Sequence, residues 1–235
     1  CVRHRCTVAQ YIGELARYLV NDAVAAAGAP ANGAVIHAEA EAEARCALRC
    51  AIGNGLAADV WPRFVARFGV ARVVEFYAST EGNANLVNNC QVVGACGVVP
   101  FFLSWIYPVM LARDATTGRA QALSAGEPGE LLGLIKADDP SRRFDGYTDR
   151  AASAAKVARD VRRPGDAWFR TGDLMRRDAF GYYYFVDRAG DTYRWKGENV
   201  ATTEVAGVVA RALPGLEHVV AYGVKVPARR GGGGG

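Results

Sequence analysis

The first apolar residues of the chain recur at the spacing of an amphipathic helix. Thr7 and Gln10 stand three positions apart, as in a capping box at a helix start. Five apolar residues follow at helical intervals, namely Val8, Tyr11, Ile12, Leu15 and Leu19. We therefore predict a helix over residues 8–20 whose apolar face packs on a core.

The following stretch changes from an alanine-rich segment to a regular helix and strand. Residues 23–51 are dominated by alanine and predict an irregular insertion, then a helix that leads into a strand near residues 47–53. Residues 59–68 again show helical spacing, and Gly69 is a suitable stop. Residues 70–77 have the apolar pattern of a short strand.

Beyond residue 92 the pattern changes to short apolar runs separated by glycine, proline and aspartate. This spacing predicts a small antiparallel sheet or barrel up to Arg188, with residues 150–159 as an intervening helix. The runs that predict strands are residues 109–112, 131–135 and 182–186. Three later elements are predicted, namely a strand at 192–195, a helix capped at Thr202 or Thr203, and a strand at 219–226.

Composition and charge narrow the class of protein. Of the 235 residues, 51% are hydrophobic and 22% are charged, which are ordinary values for a globular protein with a buried core. The net charge of +4 is modest and the arginines are scattered, so no nucleic-acid partner is expected. Residues 95–112 form the most apolar run, but Pro100, Ser104 and Pro108 interrupt it, so we expect buried strands there and no membrane span. No targeting signal is visible.

Six cysteines are present, at positions 1, 6, 46, 50, 90 and 96. None forms a Cys-x2-Cys pair, and Cys1-x2-His4-x-Cys6 has no second pair at zinc-finger spacing. We therefore predict no zinc site, and instead free, mostly buried thiols in a reducing compartment.

One short segment carries residues suited to holding a nucleotide. Asp173 follows Thr171 and Gly172, and Arg188 stands fifteen positions later, just beyond a predicted strand. A carboxylate accepts two hydrogen bonds at once, which suits the vicinal hydroxyls of a ribose, and a guanidinium donates to the sugar and to a phosphate. Gly172 lets the backbone turn tightly beside a ligand. Taken alone, a Thr-Gly-Asp triplet more often marks an ordinary turn.

This segment is one of five motifs that follow one another along the chain. They are Phe76-Tyr77-Ala78-Ser79-Thr80-Glu81-Gly82, Gly126-Glu127-Pro128-Gly129-Glu130-Leu131, Phe144-x-Gly146-Tyr147, Trp168-Phe169-Arg170-Thr171-Gly172-Asp173-Leu174 with Asp178-x2-Gly181 and Phe185-x2-Arg188, and Trp195-Lys196-Gly197-Glu198-Asn199-Val200. Together they resemble the core motifs of the adenylate-forming superfamily. Residues 6–19, 142–147 and 190–205 narrow the resemblance to the very-long-chain acyl-CoA synthetase and fatty acid transport protein family.

The resemblance implies an α/β fold of the adenylate-forming, acyl-CoA synthetase-like kind, present in part. Residues 1–92 would belong to the α/β subdomain of the AMP-binding domain, residues 93–189 to its β-rich subdomain with a small β-barrel, and residues 190–235 to the start of the mobile C-terminal domain. The implied activity is ATP-dependent ligation of a long- or very-long-chain fatty acid to CoA through an acyl-adenylate, with Mg²⁺. The implied partners are therefore fatty acid, ATP and CoA.

The resemblance also implies roles for individual residues. Tyr77 would stack on the adenine, and Asp173 and Arg188 would grip the ribose. Thr80 would bind the phosphates, and Glu81 would hold Mg²⁺ through its carboxylate. Thr80 and Glu81 are therefore the candidate catalytic residues.

Three further segments have implied roles beside simpler interpretations. Gly53-Asn54-Gly55 matches the glycine loop that borders the adenine, and an ordinary strand-end turn explains it about equally well. Gly190 and Asp191 fall at the hinge of the C-terminal domain, where a glycine absorbs the change in backbone angles. Lys196-Gly197-Glu198 would swing toward the site for the CoA step, or would be a solvated pair at a strand end.

Some family features have no counterpart in the 235 residues. Ala78 stands where the superfamily usually has glycine. A Ser/Thr/Gly-rich phosphate loop ending in lysine is absent, and so is the late lysine that stabilises charge during adenylation; we expect them upstream of Cys1 and after Gly235. Loss of one charge-stabilising group costs about 3–4 kcal/mol, so we predict that this chain does not turn over unaided.

Two other interpretations stay open at the level of sequence. The chain could be a transport or binding module that moves fatty acids at a membrane without catalysis, a role that the resemblance includes. It could also be a truncated product that folds poorly, since a cut inside a domain exposes an apolar face. For the full-length protein the resemblance implies an intracellular, peripherally membrane-associated location at the endoplasmic reticulum, peroxisome or plasma membrane.

Overall fold

The computed structural model describes residues 4–28, 47–80, 82–106, 108–113, 123–189, 193–195, 198–213, 216 and 219–224. For residues 22–28, 193–195, 198 and 199 it describes the backbone alone. The helices are α1 (Gly13–Gly28), α2 (Val60–Phe68), α3 (Arg150–Ala155) and α4 (Thr202–Ala212), with a short 3-10 helix at Phe101–Leu103. The strands are β1 (Val8–Ile12), β2 (Cys50–Asn54), β3 (Arg72–Tyr77), β4 (Leu86–Asn88), β5 (Gly97–Val98), β6 (Val109–Ala112), β7 (Pro128–Leu134), β8 (Val157–Arg159), β9 (Ala167–Arg177), β10 (Tyr182–Arg188), β11 (Tyr193–Trp195) and β12 (Glu198–Val200).

The first sheet has four strands in the order β1-β2-β3-β4. Strands β1, β2 and β3 run parallel, and β4 is antiparallel to β3. Its buried core joins the sheet to α1 and α2, through side chains such as Tyr11, Val20, Phe64 and Val73. The parallel strands therefore end together at one edge of the sheet.

The second sheet has six strands and is antiparallel. Its order is β5-β10-β9-β7-β6, with β8 also paired to β9. The eleven-residue β9 is its central strand, since it pairs with β7, β8 and β10. Leu131, Met175 and Tyr183 lie in one of its buried clusters, and Leu132 and Trp168 in another. The predicted antiparallel sheet is confirmed; in the described pairing β5, β6 and β8 each pair with a single strand.

The predicted helix over residues 8–20 is wrong in its first part. Val8–Ile12 is strand β1, which pairs in parallel with β2, and the helix begins at Gly13. Inside the helix the structure buries Ala16 and Val20, whereas Leu15 is 52% exposed. The capping-box spacing misled because hydrogen bonding to β2 outweighs a local helix signal, and β-branched ends such as those of β1 suit a strand.

The helix predicted over residues 59–68 is confirmed as α2, which ends at Gly69 with a φ of 61°. The strand predicted at 109–112 coincides with β6, and the other predicted runs fall in β3, β7 and β10 with shifted ends. The strand near residues 47–53 is confirmed as β2. The alanine-rich segment 29–46 lies outside the described residues.

Three further predictions need correction. The helix over 150–159 stops at Ala155, because β8 pairs with β9 instead. Helix α4 begins at Thr202 as expected, but the backbone N–H of Thr202 donates to the side chain of Asp187 on β10, 2.6 Å away, so the cap comes from a distant residue. Residues 219–224 of the predicted last strand have no strand structure.

The apolar run at residues 95–112 and the cysteines also differ from expectation. The run forms β5, the 3-10 helix and β6, and its aromatic side chains at positions 101, 102 and 105 face solvent. Within the described ranges no helix is long and apolar enough to cross a bilayer. The described thiols are all free, but Cys96 is buried and Cys90 is exposed, so burial is not general.

Candidate functional site

The ends of two parallel strands bring candidate residues to one edge of the first sheet. Strand β2 ends at Asn54 and the neighbouring strand β3 ends at Tyr77. Gly53 lies opposite Glu75 in their register. Ligands of open α/β sheets bind beyond the carboxyl ends of such strands. The turn at 53–55 and the segment after Tyr77 therefore lie side by side where a ligand is expected.

The turn Gly53-Asn54-Gly55 has a backbone shape that requires glycine. Gly55 has a φ of 79°, in the left-handed region that other residues adopt at a cost. Gly53 is buried and Asn54 is exposed at the tip of the turn. The sequence signal therefore corresponds to a real tight turn, which satisfies both the strand-end interpretation and the adenine-loop interpretation.

A buried carboxylate holds this turn, and the sequence did not reveal it. Glu75 on β3 is only 3% exposed. Its Oε1 accepts hydrogen bonds from the backbone N–H groups of Gly55 and Leu56, and its Oε2 accepts one from the Tyr11 hydroxyl. Burial raises the pKa of Glu75 to about 7, against the lowering effect of these donors. Glu75 is two residues after the buried Val73 on β3, so the two side chains share a face of the strand, but this was known only once the strand was placed.

The predicted ribose-binding residues come together. The Tyr77 hydroxyl donates to Oδ2 of Asp173 at 2.5 Å, and Nε of Arg188 lies 3.6 Å from Oδ1 of the same carboxylate. Arg188 faces Asp173 across the pairing of β9 and β10. The side chain of Asp173 is 16% exposed and that of Arg188 is 73% exposed. Burial, followed by the hydrogen bond to Asp173, raises the pKa of Tyr77.

A second buried carboxylate holds the irregular point of β9 at Gly172, just before Asp173, where the register with β7 shifts; we call this point the Gly172 turn. Oε1 of Glu130 accepts from the backbone N–H of Gly172 at 3.1 Å, and its Oε2 pairs with Nη2 of Arg170 at 2.9 Å. Gly172 has a φ of 80°, so this turn also requires glycine. Thr171 accepts a hydrogen bond from the backbone N–H of Asp173 at 3.0 Å through its hydroxyl. Glu130 on β7 thus positions the Thr-Gly-Asp motif on β9.

The remaining predicted residues are placed only in part. Thr80 is exposed in a bend, where the N–H of Gly82 donates to the carbonyl oxygen of Ser79 at 3.2 Å. Glu198 lies in β12, opposite Trp195 in β11. The other predicted residues, namely Glu81, Gly190, Asp191, Lys196 and Gly197, lie outside the described residues.

The cluster of Tyr77, Asp173 and Arg188 fits a ribose. A carboxylate has about four lone-pair positions, and Tyr77 uses only one of those on Asp173. The others remain for two sugar hydroxyls, and the exposed Arg188 guanidinium reaches the same carboxylate from the solvent side. The fit to Mg²⁺ depends on Glu81, and the part of the chain that the structure describes holds no cluster of three metal-ligating side chains.

A separate surface cleft of about 500 Å³ lies beside the motif at residues 144–147. Phe144, Tyr147, Arg150 and Arg159 are among the residues that line it. None of its lining residues belongs to the cluster of Tyr77, Asp173 and Arg188. The cleft therefore adds nothing to the ribose fit.

Sequence comparison assigns the chain to a family. It is 43% identical over 241 residues to long-chain fatty acid transport protein 1 from Homo sapiens, an alignment that covers 98% of this chain and 35% of that protein. The chain belongs to the fatty acid transport protein and very-long-chain acyl-CoA synthetase family. Another relative is the medium/long-chain-fatty-acid–CoA ligase FadD6 of Mycobacterium tuberculosis, 42% identical over 98% of this chain and 36% of that protein. No protein-family profile matches.

Structural comparison agrees with this family. The ATP-bound MatB of Rhodopseudomonas palustris superposes with a TM-score of 0.66 at 25% identity, over 95% of this chain and 39% of that one. Several solved CoA ligases share the same fold. The chain thus has the adenylate-forming, acyl-CoA synthetase fold in part, and it spans about a third of the length of the curated family members that it matches.

Proposed function

We propose that this chain supplies the nucleotide-holding part of an ATP-dependent fatty acid–CoA ligase of the long- or very-long-chain class. The observation that carries the proposal is the contact of Tyr77 and Arg188 with the carboxylate of Asp173, beside a parallel-sheet edge. The relatives named as a fatty acid–CoA ligase and as an ATP-bound enzyme support it. The whole protein would join ATP and a fatty acid into an acyl-adenylate, from which CoA displaces AMP.

The residues of this chain would bind and orient the nucleotide. Asp173 would accept from the ribose hydroxyls, with Arg188 offsetting its charge. Tyr77, fixed at its hydroxyl by Asp173, would present its ring to the adenine. Thr80 would donate to a phosphate, and Glu81 would hold Mg²⁺, whose positive charge offsets that of the phosphates.

The later part of the chain would serve the second half-reaction. We propose that Gly190 and Asp191 form the hinge of the C-terminal domain, and that Lys196-Gly197-Glu198 is the loop of the CoA step. We also propose that residues 1–92 and 93–189 are the two subdomains of the AMP-binding domain and that residues 190–235 begin the C-terminal domain. In the pairing of β11 and β12, Glu198 lies opposite Trp195.

The proposal is tested by ATP binding to the purified chain, measured by isothermal titration calorimetry. D173N removes the negative charge of the carboxylate that would accept hydrogen bonds from the ribose hydroxyls, so the Kd for ATP should rise about tenfold or more. D138N makes the same chemical change at an exposed position and should leave Kd within about twofold. Replacing ATP by 2′-deoxy-ATP should weaken binding to the wild type but have little further effect on D173N. Equal discrimination by both proteins would show that Asp173 does not contact the ribose.

Turnover by the chain alone is a separate question. We propose that the 235 residues do not form the thioester unaided, because they include neither the lysine-terminated phosphate loop nor the late lysine. Thioester formation from fatty acid, ATP and CoA by the purified chain measures this. Appreciable turnover would contradict the proposal and leave the nucleotide site intact.

A second candidate role is contact with a membrane, which one observation favours. Phe101, Phe102 and Trp105 are 87%, 61% and 75% exposed on the segment around the 3-10 helix. Aromatic side chains of this kind partition into the interfacial region of a bilayer. Co-sedimentation with phosphatidylcholine vesicles should therefore fall in the F101S/W105S variant, and equal sedimentation of both proteins would remove this candidate. Such contact would place the full-length protein at a membrane surface.

A further inference from the structure

Glu75 is a buried carboxylate that none of the implied roles uses. It lies on β3 two residues before Tyr77, so both side chains project from the same face of the strand. Tyr77 reaches Asp173, whereas Glu75 reaches the turn after β2. Strand β3 therefore touches both turns of the candidate site.

Among the described residues, the surroundings of Glu75 contain hydrogen-bond donors from several elements and no cation paired with it. Tyr11 comes from β1, and the backbone N–H groups of Gly55 and Leu56 come from the segment after β2. Besides Tyr11, the Cys96 thiol just before β5 is a titratable group near Glu75: burial raises the pKa of Cys96, and the negative charge of Glu75 raises it further. Within the described part of the chain, no Lys, Arg or His forms an ion pair with Glu75.

The shape of the 53–55 turn depends on this carboxylate. Leu56 is 4% exposed, so its N–H group has no ready access to water if the carboxylate is removed. A buried donor left without an acceptor is costly. Loss of Glu75 would therefore let the turn relax away from its present position.

We propose that Glu75 is a positioning residue of the nucleotide site, and that its ionisation tightens nucleotide binding by fixing the 53–55 turn. This inference rests on the proposed function, because it requires that turn to border the nucleotide. The ionised carboxylate accepts from Gly55 and Leu56 as a charged acceptor, and such hydrogen bonds are about twice as strong as neutral ones. A protonated carboxyl group gives up part of this acceptor strength.

The pH range of the effect follows from burial. Burial raises the pKa of Glu75 to about 7, so the group changes its charge near neutrality. Above this pH the carboxylate is ionised and the turn is held firmly. Below it the group is protonated, and the affinity for ATP should fall.

The experiment compares the Kd for ATP of the wild type, E75Q and E75A at pH 6 and pH 8. At pH 8, E75A should bind about tenfold more weakly than the wild type, because two amides lose their acceptor. E75Q keeps an oxygen acceptor without the charge, so it should bind about threefold more weakly at pH 8 and about as well as the wild type at pH 6. At each pH the Kd of the variant is divided by that of the wild type, and this ratio cancels the effect of the titration of ATP itself.

Glu127 provides the matched control. Its carboxylate also accepts a backbone N–H, that of Ser124, and pairs with Arg113, but it is 40% exposed. E127Q and E127A should bind ATP within about twofold of the wild type at both pH values. Amide hydrogen exchange should quicken at Gly55 and Leu56 in E75A and stay unchanged there in E127A.

The outcomes separate the inference from the proposed function. ATP binding by the wild type with the same Kd ratio for E75Q at both pH values would overturn the inference and leave the function standing. Absence of ATP binding by the wild type would overturn the function and the ionisation effect together. Unchanged exchange at Gly55 and Leu56 in both E75Q and E75A would show that Glu75 does not fix the 53–55 turn. If E75A does not fold, the comparison is made with E75Q alone.

Discussion

Each of the two sheets of this chain contains a glycine turn that is held by a buried glutamate. The two glutamates differ in whether a cation balances their charge. Glu130 binds the N–H of Gly172 and pairs with Arg170. Glu75 binds the N–H groups of Gly55 and Leu56, and its remaining partner is a neutral phenol. The first turn is thus held by an ion pair, and the second by a carboxylate that burial pushes toward the neutral form.

The candidate site thus has two supports of different kinds: Glu130, whose charge Arg170 balances, and Glu75, which changes its charge near neutrality. Tyr77 connects the two, because it follows Glu75 on β3 and donates to Asp173 beside Gly172. A change at either glutamate should therefore reach the nucleotide, and the effect of a change at Glu75 should depend on pH near neutrality.

The largest expected effect comes from removing the cation of the first support. R170A leaves Glu130, whose side chain is 8% exposed, without its counter-charge, so unfolding free energy should fall by about 3 kcal/mol. Urea unfolding measures this. R143A breaks an exposed pair with Asp145 and should cost less than about 1 kcal/mol. Similar losses in both variants would mean that the Glu130 ion pair is no more important than a surface pair.

The second support should make stability depend on pH. The pKa of Glu75 rises from its ordinary value to about 7 on folding, because the cost of burying the charge exceeds what its hydrogen-bond donors return. The resulting gain in fold stability is complete below pH 4.5 and is lost as pH rises through 7, although the ionised carboxylate is the stronger acceptor for the turn. E75Q does not titrate. The free energy of unfolding of the wild type relative to E75Q should therefore fall by about 2 kcal/mol between pH 5 and pH 8. A constant difference across this range would show that Glu75 titrates normally.

The link between the turns should have a moderate effect. Y77F removes the hydrogen bond to Asp173 and should lower stability by about 1.5 kcal/mol and weaken ATP binding. Tyr184 also bonds an aspartate, Asp178, at 3.2 Å, but outside the cluster. Y184F should leave the affinity for ATP unchanged. Weakened ATP binding in Y184F to the same degree would argue against a specific role for Tyr77.

The smallest effect should come from backbone strain. G55A and G172A force alanine into left-handed backbone angles at positions with room for a Cβ, so each should cost about 1 kcal/mol. G126A does the same at a φ of 89° in a turn outside the site. All three variants should lower the unfolding midpoint to a similar extent. G55A and G172A should also weaken ATP binding, whereas G126A should leave the affinity for ATP unchanged. A loss of affinity in G126A would show that the assay reports stability alone.

The sequence predicted the residues of the candidate site better than the side chains that support them. Tyr77, Asp173 and Arg188 were found by motif resemblance, and the structure brings them into contact. Glu75 and Glu130 were not assigned roles, because a buried carboxylate has no local sequence signature until its distant donors are known. The donors of Glu75 include Tyr11, 64 positions away.

The fold was predicted well where local and tertiary preferences agree. Helix α2 has both helical spacing and a glycine stop, and it was located correctly. Residues 8–12 and 157–159 have helical spacing but lie beside partner strands, and pairing with β2 and β9 decides their structure. Such pairings join residues far apart in sequence, which single-segment patterns do not encode.

The central claim is that the turns around Gly55 and Gly172 form one nucleotide site. Titrating ATP into the ¹⁵N-labelled chain and following its amide signals by NMR tests this most directly. The signals of Gly55, Leu56 and Gly172 should shift together with a single Kd, while that of Gly126 stays in place. Shifts confined to one turn, or different Kd values for the two, would contradict the claim.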